Sequence, residues 1–318
     1  MSYLLWAMLS AFVAAATIAA MLSSGRVGPI DRPNERSLHA TPIPRSGGIG
    51  IMAGVVLGIV VARPEPSLVG GLALLALVSW LDDCRSLPIL VRFASHFAAA
   101  FLALATMPDW GWPGLMTATL IIVWVTNLFN FMDGADGLAG GMAVFGFGTY
   151  AAAAVTTGEG SVGVLAAMLA AASMGFLVFN FPPAKIFMGD AGSIPLGFLA
   201  ASLGMYGWAT GVWPWTFPLL AFSPFLVDAS LTLMRRGLRG ERVWLAHREH
   251  YYQRLVRMGW SRRRLITAEY LLMAAAAGSA MALLSWPLLQ WPLLAAWGAL
   301  YFVLARWIDH KWESQNDV

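Results

Sequence analysis

Apolar residues run along this chain in long blocks, and polar residues gather in the short intervals between them. Eleven stretches, near 2–22, 47–62, 67–81, 89–106, 114–131, 138–156, 162–180, 192–210, 214–234, 266–286 and 291–308, are almost free of charge. About 20 apolar residues in helical form cross a hydrocarbon core, so the pattern predicts an all-α, polytopic membrane protein with ten or eleven transmembrane helices. The second and third stretches are the short ones. The first is read as a retained helix, because "MSYLLW" has no basic segment ahead of its apolar run and positive charge follows it. No soluble domain, repeat or low-complexity linker interrupts the series, which predicts a single membrane domain over 1–318. The longest polar interval, 237–264, is a large loop whose basic and aromatic "REHYYQRLVRM" suits a helix lying at the membrane interface.

Composition agrees with the pattern. Hydrophobic residues are 58% of the chain and charged residues 12%, about half the charged fraction of a soluble domain. Charge placement adds orientation. With the N-terminus outside, inner loops collect every Lys and Arg except Arg63, including the ten arginines from Arg235 to Arg264. Such a bias predicts an outer N-terminus and a cytoplasmic C-terminus. The net charge of +3 is then a topology signal with some attraction to membrane lipid, and no nucleic-acid partner is expected. The single Cys84 excludes an internal disulfide and reads as a small neutral filler.

Nearly all the remaining chemistry sits at the inner ends of the stretches, in "RPNERSLHATPIPRSGG", "WLDDCRSLP", "NLFNFMDGADGLAGG", "NFPPAKIFMGDAGS" and "HREHYYQRL". Charges beside hydrocarbon are costly, and their clustering at one face points to a functional site. Asp82 and Asp83 are adjacent, so on a helix they point about 100° apart and suit different tasks; as a bare pair they also suit a solvated helix end. Arg92 and His96, four residues apart, share one face and could hold a phosphate.

Asn127, Asn130 and Asp133 recur every three residues and stack on one helix face. Gly134 and Gly137 let the backbone turn, so Asp136 could return to the Asp133 side, and such carboxylates suit Mg²⁺. Asp190, between two glycines at a helix start, could hold a metal shared with an anion bound by the backbone N–H groups of Gly192 and Ser193. Phe187 could stack on a base or serve as a lipid or core contact. His247, Arg248 and His250 fit phosphate better than zinc, since no Cys or third His lies near them.

Together these strings, from about Asp31 to Leu255, resemble the polyprenyl-phosphate N-acetylhexosamine-1-phosphate transferases of glycosyltransferase family 4. That family includes phospho-N-acetylmuramoyl-pentapeptide transferase and the enzymes that begin O-antigen and related surface polysaccharides. The resemblance implies ten or eleven helices in the bacterial inner membrane. It also implies dependence on Mg²⁺, with Mn²⁺ as a substitute, and transfer of a sugar 1-phosphate from a UDP-N-acetylhexosamine to undecaprenyl phosphate with release of UMP. A homodimer is compatible with it. By the same resemblance Asp82 and Asp83 match the catalytic aspartate pair implicated in lipid-phosphate activation or metal binding. Asn127, Asn130, Asp133 and Asp136 match the nucleotide and metal string, Asp190 the principal Mg²⁺ ligand, Phe187 the aromatic near uracil, and His247 and His250 the histidine motif. "HREH" departs from the three histidines of the pentapeptide transferases, which makes the O-antigen-initiating enzymes the better match. A polyprenyl-lipid transporter is the non-enzymatic alternative.

Overall fold

A computed structural model describes residues 3–25, 27–32, 41–108, 110–243 and 247–316. His39 and most of the "RPNERSLHA" string lie outside the described residues. The helices are α1 (Tyr3–Ser24), α2 (Gly47–Ala62), α3 (Pro66–Arg85), α4 (Ile89–Leu104), α5 (Gly111–Phe131), α6 (Leu138–Thr157), α7 (Gly160–Asn180), α8 (Asp190–Ala209), α9 (Thr216–Ala221), α10 (Ser223–Leu238), α11 (Tyr251–Arg257), α12 (Arg262–Ser285) and α13 (Gln290–Asn316). Each expected apolar stretch falls on helix. Seven of these helices are long and apolar enough to cross a membrane by length and composition, and α2 and α4 are shorter apolar ones. The chain is a multi-pass membrane protein.

α6 and α7 form the centre: two thirds of the apolar window of α6 is buried, against 11% for α13 at the rim. α7 packs on α1, α2 and α6, while α8 packs on α3 and α5. Helices in lipid gain most from close van der Waals approach, which small residues allow. At the crossing of α2 and α8 that approach is extreme: a Cβ on Gly48 would stand 2.3 Å from the Gly192 nitrogen.

Three details depart from the sequence expectation. The ninth stretch is broken into α9 and α10 at Phe222–Ser223–Pro224, because Pro224 has no N–H to give and clashes with a continuing helix. Tyr150, Trp213 and Phe217 stack beside the break, with the Tyr150 hydroxyl donating to the Ala200 carbonyl at 3.0 Å. Second, the "HYYQRL" segment is packed inside the protein and not laid on its surface. α11 starts at Tyr251, and Tyr251 to Leu255 are buried among α10, α12 and α13. Third, Ile30–Asp31 pairs antiparallel with Ile43–Pro44 as a minimal ribbon, β1 and β2.

Candidate active site

The ribbon delivers the start of α2 to the start of α8. Phe187 N–H donates to the Pro44 carbonyl at 2.7 Å, and Gly47 and Gly48 N–H donate to the Phe187 and Met188 carbonyls at 2.8 Å. Gly189 follows with φ +73°, and a Cβ there would lie 2.4 Å from the Arg45 carbonyl oxygen. Only glycine makes this turn without strain. Asp190 is thereby set at the first position of α8, where carboxylates are favoured by the helix dipole.

Asp82 and Asp83 take different partners. Asp83 reaches across to α8: its Oδ1 accepts from Asp190 N–H at 3.3 Å and its Oδ2 from Ala191 N–H at 3.0 Å. It therefore caps that helix from another one. Asp82 stays at home, with Oδ1 accepting from Leu87 N–H at 2.6 Å and Oδ2 from the Arg92 guanidinium at 2.9 Å.

Arg45 joins the aspartates. One of its terminal nitrogens is 2.6 Å from Asp83 Oδ1 and 3.2 Å from Asp190 Oδ1. Asn130 donates to Asp190 Oδ1 at 3.1 Å and to Ser193 Oγ at 2.8 Å. Asp133 accepts from the Gly189 backbone, and burial, with the Asp190 charge next in weight, pushes its carboxyl well above the ordinary range. Four carboxylates, Asp82, Asp83, Asp133 and Asp190, thus share the guanidiniums of Arg45 and Arg92.

Among the described residues no three or more His, Cys, Asp or Glu side chains gather closely enough to cage a metal ion. The surplus of carboxylates over guanidiniums and their hard oxygens still fit a divalent cation of the Mg²⁺ type. That ion takes one or two protein carboxylates and fills its octahedron with substrate phosphate and water.

Asp136 does not join this group. Its Oδ2 accepts from Ala184 N–H at 3.1 Å and from Arg262 at 3.0 Å, and the residue is only 4% exposed. The glycine turn delivers it to the start of α12, where it neutralises an arginine, so the expected pairing with Asp133 on a metal is corrected.

A cavity of about 440 Å³ opens beside Asp190, within the range of small-ligand sites. Its polar wall holds Arg92, His96, Asn127, Asn130, His247 and His250; Ile89, Phe93, Trp124, Phe131 and Leu233 supply an apolar wall. Asn127 contacts His96 Nδ1 at 3.1 Å. The rings of His247 and His250 lie 4.8 Å apart. Burial, followed by the nearby His250 and Arg236, pushes His247 down to about 3, so it meets a ligand as a neutral imidazole. Its Nδ1 accepts from Glu249 N–H at 3.4 Å, which leaves the proton on Nε2. Phe187 and Arg248 are not in the cavity wall. Phe187 is half-buried with its backbone in the α2–α8 lacing, and the Arg248 carbonyl accepts from Arg257 at 3.3 Å.

Sequence reasoning missed two residues. Arg45 had been assigned to topology, although its place in "PIPRSGG", directly before a helix start, was a usable signal. Asp228, inside an apolar stretch, organises the histidine segment. Its Oδ1 accepts from Tyr251 N–H at 2.9 Å and from Thr232 at 3.2 Å and meets His250 Nδ1 at 3.3 Å, while its Oδ2 accepts from Tyr252 N–H at 3.0 Å. A lone carboxylate in a span is a functional signal by itself.

Comparison with known proteins matches residues 66–207 to the family described as glycosyl transferase family 4. The chain is 31% identical over 270 residues to a "Probable undecaprenyl-phosphate N-acetylglucosaminyl 1-phosphate transferase" of Bacillus subtilis (strain 168), covering 78% of this chain and 75% of that protein. It is 29% identical over 305 residues to an "Undecaprenyl-phosphate alpha-N-acetylglucosaminyl 1-phosphate transferase" of Yersinia pestis, covering 85% and 82%. Similarity to a "Phospho-N-acetylmuramoyl-pentapeptide-transferase" of Moorella thermoacetica is 35% but spans 160 residues, 50% of this chain and 48% of that one.

Proposed function

Since the chain belongs to glycosyl transferase family 4, among the polyprenyl-phosphate N-acetylhexosamine-1-phosphate transferases, we propose that it moves an N-acetylhexosamine 1-phosphate from a UDP-sugar to undecaprenyl phosphate, releasing UMP. The product is the first lipid-linked intermediate of a surface polysaccharide of the O-antigen kind, made at the cytoplasmic face. The cavity with one polar and one apolar wall carries this reading. An isoprenoid phosphate needs both, a set of donors for its head and hydrocarbon for its first prenyl units.

In the proposed reaction an oxygen of the lipid phosphate attacks the sugar-bearing phosphorus of the donor, and the bond from that phosphorus to UMP breaks. Such transfer rests on positioning and charge neutralisation more than on covalent help. Arg92 and the Nε2–H of His247 hold phosphate oxygens, His250 is set beside them by giving its Nδ1–H to Asp228, and Asn130 fixes Asp190. Mg²⁺, or Mn²⁺ in its place, held by Asp190 and Asp133 would neutralise diphosphate charge. Direct attack is favoured over an aspartyl intermediate. Both oxygens of Asp83 hold the start of α8 or Arg45, and both oxygens of Asp82 are engaged as well. A phosphomonoester with a second pKa of about 6 is already nucleophilic near neutral pH.

The test incubates purified protein with undecaprenyl phosphate, Mg²⁺ and separate UDP-N-acetylhexosamines, then weighs the lipid product, with Asp190→Asn as control. A lipid diphosphate sugar that the control cannot make is the expected result and names the donor. A product formed only from the muramoyl-pentapeptide donor would select the peptidoglycan reading, which the half-length match and the "HREH" string disfavour.

A further inference from the structure

A second polar cavity, about 410 Å³, lies between the end of α10, α11 and the end of α13, and shares no lining residue with the site above. Five arginines line it: Arg235, Arg239, Arg254, Arg257 and Arg306. Carboxylates do not match them in number. Asp309 is divided between Arg235 and Arg254, the latter at 3.0 Å, and Glu249 between Arg239 and Arg254; Glu313 is the third acid in the wall, and Glu241, outside it, also meets Arg239 at 2.6 Å, which makes four acids to five arginines.

Two polar atoms in this wall are buried without a partner. Arg254 Nε has a hydrogen to donate and Asp309 Oδ2 has lone pairs to fill, although their side chains are only 9% and 7% exposed. Leaving such atoms unmet costs about 1–3 kcal/mol each. Both atoms are sealed from solvent, so they record how tightly Arg254 and Asp309 are packed beneath the cavity and do not themselves reach a ligand. The wall's arginines, the exposed Arg239 and Arg306 among them, outnumber its acids and suit a phosphate. Burial, and then the positive charges of Arg248 and Arg254, lower the proton affinity of Arg257, which an anion nearby would relieve.

The level in the membrane narrows the source. α13 has 27 residues, about 40 Å of helix, against a hydrocarbon core of about 30 Å, so its last turns emerge at the headgroups. Aromatic residues mark the same level: Arg257 lies 4.5 Å from the Trp312 ring centroid, and Trp260 packs on Trp307. Basic pockets between helices at this depth bind anionic headgroups.

We propose that this cavity binds the headgroup of an anionic phospholipid of the phosphatidylglycerol type, with the phosphate on the arginines. The bound lipid joins the end of α13 to Arg257 at the end of α11, seven residues beyond His250.

The test uses the purified full-length chain in detergent with equal phosphatidylglycerol and phosphatidylcholine, and native mass spectrometry to count bound lipid. Three proteins are compared: wild type, Arg257→Gln with Arg306→Gln, and Arg242→Gln with Arg263→Gln, a pair outside the cavity with the same charge change. Wild type and the outside pair are expected to prefer phosphatidylglycerol at least fivefold, and the cavity pair to lose that preference. If the cavity pair does not fold, the exposed Arg306→Gln alone carries the comparison. Glycerol phosphate at millimolar concentration is the soluble arm. If it raises the melting temperature of the wild type while phosphatidylglycerol is not preferred, the lipid source is overturned. Equal phosphatidylglycerol retention by all three proteins overturns the site.

Discussion

Asp228→Asn isolates the carboxylate that sets the histidine segment while keeping its size. The native side chain accepts from Tyr251 and Tyr252 N–H at 2.9 and 3.0 Å, accepts from Thr232 at 3.2 Å and meets His250 Nδ1 at 3.3 Å. An asparagine oxygen in the place of Oδ1 keeps the first group of contacts but turns its NH₂ toward Tyr252 N–H, donor against donor. A hydrogen bond to a charged group is worth about 1.5–3 kcal/mol, so the start of α11 loses about 2 kcal/mol. Catalysis is hit harder, because a shift of about 1 Å in a positioned group costs about 100-fold in rate. The expected result is a fall of about 100-fold in kcat with the donor KM nearly unchanged, read as UMP release in lipid nanodiscs beside a melting curve. Thr232→Val is the control, since it removes a bond to the same carboxylate without touching α11. If Asp228→Asn melts lower yet turns over within threefold of wild type, the positioning argument is wrong.

Other expectations are as direct. Asp136→Asn removes the charge that Arg262 meets, and because that guanidinium is one third exposed the variant should lose only about 1–2 kcal/mol, with turnover per folded molecule within threefold in the same assay. Gly48→Ala drives a methyl into the Gly192 backbone; overpacking of this kind costs about 1–3 kcal/mol, seen as a lower melting temperature and loss of activity. Arg45→Gln uncovers the Asp83 and Asp190 carboxylates, so the variant should melt lower without divalent cation and gain more from added Mg²⁺ than wild type does; equal gains would exclude a shared site. His247, held down to about 3, stays neutral in the fold while its unfolded form takes a proton below about 6.5. Stability from this residue is therefore complete above that pH and falls between about 6.5 and 3, and His247→Gln should flatten acid unfolding over that window.

Much of this architecture was legible because hydrocarbon imposes strong rules. The eleven apolar stretches coincide with helices, and only the break at Phe222 escaped, although Pro224 marked it. In the site, the three-residue spacing set Asn127, Asn130 and Asp133 along one helix end, and adjacency alone separated Asp82 from Asp83. Pairings over long separations were not legible. Nothing in "MDGADG" says that Asp136 meets an arginine 126 residues later, and Arg45 looked like any other loop arginine until the ribbon brought it to Asp83. The histidine segment misled for a related reason: its basic and aromatic pattern fits a membrane surface, yet Asp228 and Asp309 draw it into the protein.

The bond between Arg45 and Asp83 also bears on how the chain is made. Asp190 follows Arg45 by 145 residues, roughly 7 to 30 s of synthesis. Over that interval the first helices enter the bilayer without α8, and Asp83, at the end of an apolar helix, has no helix start to cap. Arg45 gives it a counter-charge from a segment already translated. When α8 arrives, its N–H groups take up the carboxylate and Asp190 shares the guanidinium, so the chemistry can begin only once the neighbouring segments are in place. The same ion pair thus links two segments made early, and α8, made later, completes the centre on it.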